Sequence, residues 1–224
     1  MVTVSAPAQE IALKKGENEP LEFEIAAQVV GDRFFGYHNV DADHTAPYEV
    51  LAPDGERMLA GDWPVHGRTA LSIPADAPAG VYRLRVESNG FDVPVSDVDE
   101  PEVIVVAPGK RVPASHREGG YWFMVPEGVK SFYVDVGFPH SRGRISIWDP
   151  DGERAWNFNF HSALHTDSDA VRAEVEVPSH HAGKLWRITV PGHGAGNFEM
   201  DPQIPPFFAT GPSRWFDPEL DTAP

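Results

Sequence analysis

The side chains best suited to chemistry in this sequence are its histidines, ten in 224 residues, and two groups of them stand close enough to aspartates to form ligand sets. In the first, Tyr37-His-Asn-Val-Asp-Ala-Asp-His44, the candidate ligands are His38, Asp41, Asp43 and His44. Alternating aspartates suit a hard divalent cation such as calcium, which takes oxygen donors, whereas imidazoles suit zinc or copper. The second group is His161-Ser-Ala-Leu-His165 with Asp167 and Asp169, on a connection between strands, and His180-His181 ranks below both. Mixed donor types favour the ordinary reading of each as a solvated loop. The expectation is therefore no cofactor, with calcium or another divalent metal at His38 to His44 as the alternative.

Other catalytic chemistry finds no foothold. There is no cysteine for a thiolate nucleophile or metal ligand, and no Gly-x-Ser-x-Gly elbow, His-Glu-x-x-His helix or P-loop. Glycoside hydrolysis needs two carboxyl groups at a set separation, but among 34 acids nothing singles out a pair. Gly192-His-Gly-Ala-Gly196 lacks the spacing of a dinucleotide loop and runs on into Asn197-Phe-Glu199 and a proline-rich tail, so it reads as a plain loop.

The elements that must carry these residues are strands. Glycine and proline together number 42 and are spread along the whole chain, which leaves no room for long helices. The phrase Pro-Asp-Gly-Glu-Arg occurs at 53–57 and again at 150–154, each time after a short apolar run. Asp-Gly at its centre is hairpin chemistry, because both residues tolerate the positive φ of tight turns. Downstream, Ala79-Gly-Val-Tyr-Arg-Leu-Arg-Val86 is answered by Ala182-Gly-Lys-Leu-Trp-Arg-Ile-Thr-Val190. One module has been copied.

Period-two alternation and turn spacing place strands at 10–13, 21–27, 48–52, 57–59, 68–73, 81–87 and 103–106, then at 121–125, 131–136, 144–148, 154–160, 171–177 and 185–190. The expected fold is all-β: two tandem antiparallel β-sandwiches, Ig-like or jelly-roll-like, over residues 1–108 and 109–224, the second ending in a proline-rich tail.

The copy serves as a control for which aromatics are core. Laying Leu21-Glu-Phe-Glu-Ile25 on Tyr121-Trp-Phe-Met-Val125 makes Phe23 and Phe123 core positions and sets Trp122 opposite Glu22, on an outer face. Trp148 matches Leu51 and has the parity of Ser146 rather than of Ile145 and Ile147, whereas Trp186 matches Tyr82 in the core. Trp156, Phe158 and Phe160 alternate with Asn157, Asn159 and His161, leaving a polar face beside an apolar one. Flat aromatics next to amides suit a sugar, whose C–H face packs on the ring while polar groups take its hydroxyls. Trp122, Trp148, Asn157, Asn159 and His161 are the candidate ligand face. The ordinary alternative is that Trp122 and Trp148 are covered by other parts of the chain.

Formal charge is −16, with 19 acids and 8 bases in residues 1–110 and 15 and 10 in 111–224. That balance, without a basic patch, argues against nucleic acid and against anionic membranes as partners. The first residues, Met1-Val-Thr-Val-Ser-Ala-Pro7, have neither the basic nor the apolar stretch of a signal peptide.

Tyr121-Trp-Phe-Met-Val-Pro-Glu-Gly128, the later Trp148-Asp-Pro-Asp-Gly152 and Leu185-Trp-Arg-Ile-Thr-Val190 resemble the β-sandwich accessory modules appended to secreted bacterial polysaccharide-degrading enzymes and peptidases, where a Phe-x-Val-Pro-x-Gly strand entry precedes an x-Pro-Asp-Gly hairpin. The closing Ile204-Pro-Pro-Phe-Phe-Ala209 is similar to the end of C-terminal regions in some glycoside hydrolases. The resemblance covers mainly residues 118–218 and carries over no binding residues. It implies a non-catalytic carbohydrate-binding or enzyme-supporting module, extracellular or periplasmic, whose partners are a polysaccharide or oligosaccharide and a catalytic domain of the same polypeptide. Two other expectations stand beside it: a metal-dependent hydrolase or lyase acting through the histidine and aspartate loops, and a purely structural spacer.

Overall fold

The computed structural model describes residues 9–26, 45–64, 68–86, 95–96, 102–106, 112–113, 120–137, 143–160, 171–189 and 197–220. Every regular element among them is a β-strand, and the strands within each unit pair antiparallel. The chain is all-β, as its glycine and proline content requires. It divides into two compact units, Met1–Val105 with Phe216–Pro224, and Val106–Trp215.

The first unit contains β1 (Gln9–Lys15), β2 (Leu21–Ala26), β3 (Thr45–Leu51), β4 (Arg57–Pro64), β5 (Arg68–Ile73), β6 (Gly80–Val86), β7 (Val95–Ser96) and β8 (Glu102–Val105). One sheet runs β8-β1-β6-β3-β4 and the other β5-β2-β7. Inward residues of both meet in one core, with Ile11, Leu13, Val50, Trp63, Tyr82 and Leu84 from the first sheet and Leu21, Phe23, Ile25 and Ile73 from the second.

The second unit contains β9 (Val112–Pro113), β10 (Tyr121–Val125), β11 (Ser131–Gly137), β12 (Gly143–Trp148), β13 (Arg154–Phe160), β14 (Val171–Glu176), β15 (Lys184–Thr189), β16 (Asn197–Met200) and β17 (Phe207–Phe208). Its sheets are β10-β15-β12-β13 and β14-β11-β16-β9. Alternation decides which side chains meet between them: Phe123 stands edge-on to Phe132 at 5.7 Å, Phe132 edge-on to Trp186 at 5.5 Å, and Tyr121 lies 5.7 Å from Phe198. Such tilted and edge-to-face pairs add about 0.5–1.5 kcal/mol each beyond the area they bury. The tail contributes to the same core through Phe208, whose ring lies 6.4 Å from that of Phe123 and 5.5 Å from that of Phe198. Beyond β17, Ala209 exchanges backbone hydrogen bonds with Trp122 at 2.8 and 2.9 Å, so the tail covers the edge of β10.

The two units repeat one pairing order. In the first, β1-β6-β3-β4 faces β5-β2-β7; in the second, β10-β15-β12-β13 faces β14-β11-β16. The two Pro-Asp-Gly hairpins agree atom for atom in plan: Ala52 N–H donates to Glu56 O at 2.8 Å and Asp149 N–H to Glu153 O at 2.9 Å, with Gly55 at φ +85° and Gly152 at φ +84°. Each strand pair carries a bulge just before its hairpin, between Val50 and Leu51 and between Ile147 and Trp148.

This order corrects one expectation. β10 pairs with β15 as β1 pairs with β6, so the counterpart of Tyr121–Val125 is β1 and not Leu21–Ile25. Register then sets Trp122 opposite Arg187 where Ala12 stands opposite Arg83, and Phe123 opposite Trp186 where Leu13 stands opposite Tyr82. Trp122 therefore corresponds to Ala12, not Glu22. Its placement on the outer face is unchanged, because Ala12 and Glu10 also point away from the core side chains Ile11 and Leu13.

Candidate functional site

In the sheet β10-β15-β12-β13, inward positions are filled by Tyr121, Phe123, Val125, Trp186, Ile188, Ile145 and Ile147, all buried. The alternate positions face outward. Cross-strand register brings four of them into a row running across the strands: Trp122 is opposite Arg187, Arg187 opposite Trp148, and Trp148 opposite Arg154. The contacts follow the register. The Arg187 guanidinium carbon lies 5.5 Å from the Trp122 ring centre and 5.1 Å from that of Trp148, and Arg154 lies 5.7 Å from Trp148. Each is within cation–π range, worth about 0.5–1 kcal/mol at an exposed site.

Arg187 is thus clasped between two indoles. Its Nε is buried and makes no hydrogen bond, and among the described residues no carboxylate pairs with it. Trp148 is fixed from a second direction, its Nε1–H donating to the Thr189 hydroxyl at 3.1 Å, and that hydroxyl donates in turn to the Ser146 carbonyl at 3.3 Å. Both tryptophans are half-buried, neither core nor fully exposed.

The bulge before the hairpin determines what joins the row on β13. Beyond it, Asn157 pairs with Ser146 and Asn159 with Arg144, on the same face as Trp148, while Trp156 and Phe158 pair with the inward Ile147 and Ile145. Asn157 and Asn159 are exposed, and Asn159 Oδ1 accepts from Arg144 Nε at 2.9 Å. Four of the five expected ligand-face residues, Trp122, Trp148, Asn157 and Asn159, are therefore brought onto one face of one sheet. His161 lies outside the described residues, as do His38, Asp41, Asp43 and His44 and the stretch His165 to Asp169.

Sequence reasoning missed the arginines. Arg187, Arg154 and Arg144 share the face with the tryptophans, and the signal was present in the repeat: Arg187 stands where Arg83 stands, on a strand whose cross-strand partners in the first unit are acidic. There Arg83 contacts Glu10, and Arg85 reaches Glu10 at 3.0 Å and Glu49 at 3.6 Å.

A second cluster lies beside the β12–β13 hairpin. His181, buried, donates from Nε2 to Asp151 Oδ2 at 2.9 Å, while its Nδ1 lies 3.6 Å from Asp149 Oδ2. The hydrogen bond from His181 outweighs the opposing desolvation and holds the Asp151 carboxyl below its ordinary value of 3.8, with lesser help from Lys184 and His180. Asp149 Oδ1 meanwhile accepts from the backbone N–H groups of Asp151 and Glu153 at 3.0 and 2.8 Å. The His181 carbonyl accepts from Trp186 Nε1 at 3.2 Å. These bonds lock the hairpin to the turn that ends at His181. Among the described residues, Asp151, His180 and His181 form the group whose donors, within 4.8 Å of one another, have metal-ligand chemistry, and the hydrogen bond to Asp151 already engages one of those nitrogens.

No helix among the described residues is long and apolar enough to cross a membrane. Compared with known proteins, the chain matches no family model, no curated protein and no solved structure.

Proposed function

We propose that this protein is a non-catalytic carbohydrate-binding β-sandwich protein, an accessory to polysaccharide breakdown, and that the outer face of β10-β15-β12-β13 is its binding surface. The observation that carries this reading is the row Trp122, Arg187, Trp148, Arg154 with Asn157 and Asn159 beside it. Strands hold these groups at spacings fixed by the sheet, about 4.8 Å from one strand to the next, and such a rigid surface loses little entropy when it takes an extended polymer. Indole faces and edges offer apolar contact to a sugar ring. Amide and guanidinium groups offer directional bonds to its substituents.

Affinity electrophoresis through gels containing soluble polysaccharides tests this. Retention is expected on at least one polymer, and Trp148→Ala and Trp122→Ala are expected to reduce it while the circular dichroism spectrum stays native. No retention on any polymer, or retention untouched by both substitutions in a folded protein, would leave the row as a structural ladder alone.

A further inference from the structure

The charge on this face is unlike that of the rest of the chain. The four strands β10, β12, β13 and β15 contain no aspartate or glutamate, and they contain Arg144, Arg154, Lys184 and Arg187, in a protein whose formal charge is −16. The equivalent sheet of the first unit carries Glu10, Glu49 and Asp62 on β1, β3 and β4. In the outward row the difference is specific. Arg83 and Arg187 are equivalent by register, but where Glu10 meets Arg83 the second unit has Gly120, and where Glu49 meets Arg85 it has Ser146 opposite Thr189. The cation is kept, its carboxylate neighbours are absent, and indoles stand in place of Ala12 and Leu51.

A guanidinium that no carboxylate among the described residues pairs with, held between two indoles, keeps a fixed orientation at low entropic cost and presents its donors to an incoming anion. Indole contact suits the apolar face of a sugar, and three arginines suit a negative charge repeated along a polymer. Resting on the carbohydrate-binding reading above, we infer that the ligand of this face is an anionic polysaccharide, bearing carboxylate or sulfate groups, held through Arg187 with Arg154 and Arg144 flanking it.

Matched polymers test the inference on the whole chain: polygalacturonate, the same polymer with its carboxyls methyl-esterified, a sulfated galactan and the corresponding neutral galactan. Retention is expected on polygalacturonate or on the sulfated galactan, and which of the two it is distinguishes carboxylate from sulfate. Esterification or removal of sulfate is expected to weaken binding, and raised salt to weaken it too. Since hydrogen bonds to charged groups contribute about 1.5–3 kcal/mol, Arg187→Met is expected to lower affinity roughly tenfold or more. Should that variant fail to fold, the exposed Arg154→Gln and Arg144→Gln carry the same test with smaller losses, and Arg85→Met in the first unit is expected to leave binding unchanged. Adsorption by net charge cannot mimic the result, because a protein at −16 is repelled by a polyanion overall. Equal retention on neutral and anionic polymers would overturn the anionic assignment and leave the carbohydrate reading standing. No retention on any of them would overturn both.

Discussion

Gly120 sets how closely β10 approaches β15, and Gly120→Ala is the sharpest test of how Trp122 is placed over Arg187. Its φ is +86°, and a Cβ added there would sit 2.1 Å from the Ile188 carbonyl oxygen and 2.9 Å from Thr189 Cα. Gly128 and Gly152 make natural controls: each has φ +84°, and an added Cβ would meet nothing within 4 Å. All three therefore share the conformational penalty of alanine in the left-handed region, about 1–2 kcal/mol, and only Gly120 adds a collision with backbone. Ordinary C···O contacts run near ~3.3 Å, so the strands must part by roughly 1 Å at that end. That stretches the first ladder hydrogen bonds, worth about 1 kcal/mol net apiece, and draws Trp122 off the guanidinium. The expectation is a loss of about 3–4 kcal/mol for Gly120→Ala against about 1–2 kcal/mol for Gly128→Ala and Gly152→Ala.

Urea unfolding followed by tryptophan fluorescence reads this directly, since Trp63 is the one tryptophan of the first unit and the other five of the six lie in the second. If Gly120→Ala is no less stable than Gly152→Ala, the close approach of β10 to β15 is not what the native protein has, and the reasoning that seats Trp122 beside Arg187 fails with it.

A double-mutant cycle between Trp148→Ala and Arg187→Met measures the ladder itself: the coupling is expected at about 0.5–1 kcal/mol, as for an exposed cation–π pair, and a coupling of zero in urea unfolding would show the contact to be incidental. The His181 bond to Asp151 predicts a pH dependence. Because the folded-state carboxyl is held below its ordinary 3.8, its stabilising effect is fully present above that value and is lost as pH falls through the lowered one. Wild type is therefore expected to exceed Asp151→Asn in stability at neutral pH by a constant margin that disappears in acid. A margin that grew on acidification in melts across that range would reverse the sign and refute the assignment.

How much of this was legible in the chain depended on whether the deciding interaction was local. Tyr121–Val125, Arg68–Ile73 and Arg154–Phe160 were read to the residue, because alternation and the glycine or proline flanking them act within a few positions. β7, β9 and β17 were missed because two residues carry no period at all, and β16 because four residues after a glycine-rich stretch of sequence carry too little. The outward placing of Trp148 was also legible, since the hairpin phrase pins Leu51 to Trp148 and both precede the same turn. Trp122 was harder. Leu21–Ile25 and Tyr121–Val125 share a central phenylalanine and a strand pattern, and nothing local distinguishes β2 from β1 as the counterpart of β10. Only the cross-strand partner does, and that lies about 65 positions away at Arg187.

The same distance hid the arginine row, which exists only once three strands from separate parts of the chain are in register. Corrected pairing makes the difference between the two units more specific than the repeat alone suggested. Had Trp122 replaced Glu22, an indole would simply stand for an exposed acid. Its counterpart is instead Ala12, beside Arg83, and the position of Arg83's carboxylate partner Glu10 is matched in the second unit by Gly120. Both differences bear on the same guanidinium: the acid that faces Arg83 has no equivalent at Gly120, and the indole supplies a surface that holds a cation without neutralising it. Polar neutral substitutions would have sufficed for a face that only needed to remain soluble. A cation bracketed by tryptophans, with no carboxylate among the described residues paired to it, makes a surface whose charge binding an anionic sugar would satisfy.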